Sequence, residues 1–105
     1  MKEICSFTIN NNVYTIYDVD KIEGKANYVG QSQYDEGKIY IEQGNTEQML
    51  ITLKHELMHV WLYENGHTNQ DGNEIFNYED VCELAALSNN SINRIVKIYL
   101  NSKYY

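Results

Sequence analysis

Two histidines and a glutamate raise the chemical question. The run His55-Glu56-Leu57-Met58-His59 sets two imidazoles four residues apart. On an α-helix such residues differ by only about 40° around the axis, so both rings project from one face. Imidazoles at this spacing meet a single zinc ion at about 2.0–2.1 Å. Glu56 lies about 100° round from His55. That offset keeps its carboxylate off the ion but beside a water the ion activates, the place of a general base. Together the three imply zinc-dependent hydrolysis of a peptide bond, weighed against histidines that are merely satisfied structural groups.

Two histidines leave a zinc site incomplete, because catalytic sites usually hold three protein ligands and a water. A third histidine in the metzincin manner needs Gly at position 62 and His at 65, and the chain has Leu62 and Asn65. His67 lies beyond the expected helix end and is the weaker third-histidine choice. Glu79 and Glu83, four residues apart on one face of a second helix, are the stronger candidates. A solvated helix face is the alternative for that pair.

The elements that must position these groups follow from periodicity. Helical spacing runs from Thr46 to Asn65, with Asn45 and Gln48 as a capping arrangement and Gly66 as the stop. Gln48, Thr52, His55, Glu56, His59 and Tyr63 form one polar stripe on this helix, and apolar residues cover most of the rest. The spacing therefore predicts a buried helix with its histidines on an interior polar seam. Residues 67–73 read as a turn-rich loop. A second helix begins near Asn77 or Tyr78, and its apolar or small positions 81, 84, 85, 88, 92, 95, 96 and 99 keep one register to Leu100. Asn89-Asn90-Ser91 could instead cap a separate last helix. The first third reads as strands: Cys5–Ile9 and Val13–Tyr17 around an Asn10-Asn11-Asn12 turn, a loop from Asp18 to Lys25, then Tyr28–Tyr34 and Lys38–Glu42 around Asp35-Glu36-Gly37. Gly30, inside its strand, marks a bulge on this reading. The expected fold class is α+β: a small antiparallel sheet, the His-bearing helix and one or two further helices.

At 105 residues the chain is expected to form one domain, residues 1–105. A formal charge of -7 without any Lys/Arg run argues against nucleic acid as a partner. No apolar run approaches membrane-spanning length and the first residues lack a signal-peptide pattern, so no membrane association is expected. Two isolated cysteines, Cys5 and Cys82, fit a reducing cytoplasm, with Cys82 read as a small buried thiol. The ten tyrosines suit strands and half-buried surfaces.

The segments His55–His59 and Glu79-Asp80-Val81-Cys82-Glu83-Leu84-Ala85-Ala86 resemble the gluzincins, in which the histidine motif precedes a helix bearing paired acids. Within that group the likeness is to small ImmA/IrrE-type metallopeptidases and short zincin-like proteins of phages or mobile elements, over roughly residues 38 to 88. The resemblance implies a minimal zincin-like fold and a peptide or protein substrate. It makes Glu79 the third zinc ligand and Glu83 the partner that orients a ligand histidine. Cys82-Glu83 stands where the family commonly shows Ala-Asn, which leaves the choice between Glu79 and Glu83 open. Lys38–Glu42 is the strand expected to pair with an extended peptide. Tyr63 and His67 are the candidates for stabilising an oxyanion. The rival function is a zinc-binding regulatory or interaction protein with a vestigial protease site.

Overall fold

The computed structural model describes residues 1–22 and 29–105. Its strands are β1 (Lys2–Ile9), β2 (Asn12–Val19), β3 (Gly30–Gln33) and β4 (Lys38–Glu42). They are followed by helix α1 (Thr46–Glu64), a 3-10 turn (Tyr78–Asp80) and helix α2 (Val81–Tyr104). The α+β class holds, but the sheet is mixed rather than antiparallel, in the order β1-β2-β4-β3.

Each predicted hairpin forms. Asn10 and Asn11 both take positive φ, 48° and 68°, as a two-residue turn of matching twist requires. β3 pairs antiparallel with β4 as expected, and the expected start of that strand at Tyr28 lies outside the described residues. The hairpins then dock through β2 and β4, which run parallel from Thr15↔Lys38 to Val19↔Glu42. Hydrophobicity accounts for the order. Ile39 and Ile41 are fully buried on β4, which lies inside the sheet beside β2, whereas β3 reads Gly-Gln-Ser-Gln and takes one edge. The parallel junction corrects the antiparallel expectation, and it makes β3 rather than Lys38–Glu42 the edge strand beside α1.

The buried face of the sheet carries Phe7, Ile9, Tyr14, Ile16, Ile39 and Ile41. α1 lies against β3 and β4, and α2 against β1 and α1, so the core sits between one sheet face and two helices. α1 starts where Asn45 Oδ1 accepts the Gln48 N–H at 2.9 Å. It ends in a left-handed turn at Gly66 (φ 81°), where the His67 N–H donates to Leu62 O at 2.8 Å. α2 runs unbroken through Asn89-Asn90-Ser91, which settles the alternative of a separate last helix. Cys82 is exposed, not buried, because the helix turns its Leu84 and Ser88 face to the core. No helix of the described residues is long and apolar enough to cross a membrane.

Candidate metal centre

α1 brings His55, Glu56 and His59 together, with one ligand atom of each within 4.8 Å of the others. The two imidazole Nε2 atoms lie 3.0 Å apart. A tetrahedral ion at about 2.0–2.1 Å from each nitrogen holds them about 3.3 Å apart, so this pair fits a shared cation with a small opening of the rings. Glu56 Oε2 stands 4.0 Å from His55 Nε2.

The environment of the three differs from the interior seam expected of them. Glu56 is 7% exposed, but the His55 side chain is 67% exposed and that of His59 34%. The apolar face of α1 packs on the sheet through Leu53, Leu57 and Val60, which turns the histidines toward the rim of a groove. That groove encloses about 550 Å³ between α1, β3 and the loop ahead of α2. Ser32 on β3 donates its hydroxyl to Glu56 Oε1 at 2.8 Å and fixes the carboxylate from the edge strand. Gly30 permits this closeness. A Cβ there would sit 2.7 Å from Thr52 Cγ2 and 2.9 Å from Glu56 Cγ. β3 pairs in regular register across Gly30, so the glycine serves helix–strand approach and not the bulge expected.

Two further groups line the groove. Tyr34, just past the end of β3, stacks on Tyr63 with ring centroids 4.4 Å apart. Burial pushes the Tyr34 phenol up to about 12, helped by the negative charges of Glu74 and Glu56. It therefore keeps its proton through the neutral range. Glu74 places Oε1 2.8 Å from His59 Nδ1.

Glu79 and Glu83 are exposed, on the 3-10 turn and the first turn of α2, and neither joins the group formed by His55, Glu56 and His59. His67 stacks on Trp61, with centroids 6.0 Å apart, outside the groove lining. Sequence reasoning misses Ser32, Tyr34 and Glu74. The only signal for Glu74 is its place after Asn69-Gln-Asp-Gly-Asn73, a run that announces a turn but not what the turn presents. Comparison with known protein families, characterised proteins and solved structures finds no match for the chain.

Proposed function

We propose that this protein is a minimal zincin-like metallopeptidase that binds zinc through His55 and His59. Glu79 is the proposed third ligand and Glu83 its alternative, as the gluzincin resemblance implies. The observation that carries the reading is the pair of Nε2 atoms 3.0 Å apart beside a buried carboxylate. Zinc, when bound, supplies a Lewis acid that makes water nucleophilic near neutral pH and polarises the scissile carbonyl.

The chain's own residues supply the rest. Glu56, held by Ser32, takes the proton of the attacking water and delivers it to the leaving amine. Tyr34 carries a protonated phenol in the same groove and donates to the developing oxyanion, in place of Tyr63 or His67. β3 is an edge strand with its outer side free among the described residues. An extended peptide pairs there and crosses the groove between Val29 and Ile51, both exposed and apolar.

The test separates binding from turnover. His55→Ala and His59→Ala should each abolish stoichiometric zinc uptake, measured by elemental analysis. Glu56→Gln should keep the zinc while cleavage of a peptide library falls by about 10²–10⁴-fold. In a chelator titration Glu79→Ala should weaken zinc more than Glu83→Ala, and the opposite ranking moves the ligand to Glu83. Equal zinc content in the histidine variants would sink the metal site. Zinc uptake with no cleavage by wild-type protein would favour the regulatory reading.

A further inference from the structure

His59 uses both ring nitrogens. Its Nε2 faces His55 Nε2 at 3.0 Å, and its Nδ1 lies 2.8 Å from Glu74 Oε1. A neutral imidazole carries one N–H, and a carboxylate accepts it more strongly than a second neutral imidazole does, so the ring turns its N–H to Glu74. An ionised carboxylate only accepts. Contact with Glu74 therefore keeps the proton on Nδ1 and leaves the lone pair of Nε2 directed toward His55. This is the form a cation needs, and the carboxylate also fixes the rotation of the ring.

We infer that Glu74 is the positioning carboxylate of His59, filling from the loop the place that the resemblance gives to Glu83 on the helix. The inference rests on the zinc reading of the site. The loop is built to present this one side chain. Thr68 and Glu74 bridge as the two sides of a small hairpin. The Asn69 N–H donates to Asn73 O at 2.8 Å, and Asn69 Oδ1 accepts the N–H groups of Asp71 at 3.0 Å and Asn73 at 2.9 Å. Gly72 closes the turn at φ 83°, its N–H donating to Asn69 O at 3.0 Å. The Ile75 N–H donates to His67 O at 2.7 Å and ties the far end back to the exit of α1. Backbone bonds on both sides of Glu74 thus set its position relative to the helix that carries His59. Glu83 has no such placement: Glu74, and not Glu83, is the carboxylate in contact with His59 Nδ1.

The experiment begins on metal-free, full-length protein with 15N-labelled histidine, whose ring nitrogen shifts report the tautomer. Wild-type His59 should be in the Nδ1–H form. Glu74→Ala should release it toward Nε2–H. Glu74→Gln should retain Nδ1–H, because the amide oxygen still accepts. Zinc affinity by chelator competition should then fall about 10–100-fold in Glu74→Ala and less in Glu74→Gln. Glu83→Ala should leave the His59 tautomer as it is in the wild type. An unchanged tautomer and affinity in Glu74→Ala overturns the assignment, as does a tautomer change produced by Glu83→Ala. A wild type that shows the Nδ1–H tautomer but takes up no zinc overturns instead the metal reading, and with it the purpose given to Glu74.

Discussion

Glu56 is the most buried of the three residues gathered on α1, and its partner comes from another element. Ser32, 24 residues away, donates to one carboxylate oxygen and leaves the other facing His55. Buried charge without a partner is costly, so the hydroxyl both satisfies Glu56 and selects its orientation. The trio is legible in the sequence because i, i+4 geometry is local to one helix. Ser32, Tyr34 and Glu74 are not, since their contacts depend on how a strand and a loop dock against that helix. Tyr34→Phe keeps the stack on Tyr63 and the packing but removes the donor. Peptide cleavage should drop by about 10²–10³-fold with zinc content unchanged, the usual loss for one oxyanion donor. Tyr63→Phe should cost far less. Steady-state kinetics on both variants decide between them, and equal losses would deny Tyr34 its role.

Between elements, the close pairing of α1 with β3 governs the site. The strand pairs, the helix caps and the turn at Asn10-Asn11 can be read from local patterns, because each is fixed by neighbours in sequence. The parallel junction of β2 with β4 cannot. Two hairpins with apolar faces can meet in several orders, and the choice rests on which strand loses most by staying at the edge. Ile39 and Ile41, at 0% exposure, make that strand β4. Gly30 then becomes a spacing residue for the groove. Gly30→Ala drives a methyl against Thr52 and Glu56; Thr52 yields by turning its hydroxyl away from Gln48 O, and Glu56 yields by moving its carboxylate. Overpacking of this kind costs typically about 1–3 kcal/mol. The variant should lose that much in urea unfolding and cleave peptide poorly, while His55 and His59 still take up zinc. Retained stability with full cleavage would show that the helix and strand are not so tightly set.

Across the whole molecule, phenol–carboxylate pairs tie distant segments. Tyr14 on β2 donates to Glu64 at the end of α1 at 2.6 Å, and Tyr99 on α2 donates to Asp18 at 2.9 Å. Lys103 completes the second cluster, 2.9 Å from Asp18 and 2.7 Å from Gln43. Several of the tyrosines thus have work beyond strand propensity, which composition alone does not reveal. Burial first, and the partnering carboxylates next, push the phenols of Tyr14 and Tyr99 well above their ordinary value. In the unfolded chain a tyrosine ionises at about 10. Below that pH both states hold the proton and the stabilisation is complete. Above it the unfolded chain releases protons that the native state keeps, so stability falls as pH rises. Each such tyrosine contributes a slope of at most about 1.4 kcal/mol per pH unit until its folded value is reached. Tyr34, only half buried and raised to about 12, adds less and over a narrower window. Urea unfolding of metal-free protein at pH 7, 9, 10 and 11 should therefore show a level stability to about pH 9 and a decline beyond 10. Tyr14→Phe should cost about 1 kcal/mol at pH 7 through the missing hydrogen bond, yet decline less steeply above pH 10. If its curve instead runs parallel to that of the wild type, alkaline unfolding has another source, and the Tyr14–Glu64 pair is not a proton-linked tie between the sheet and α1.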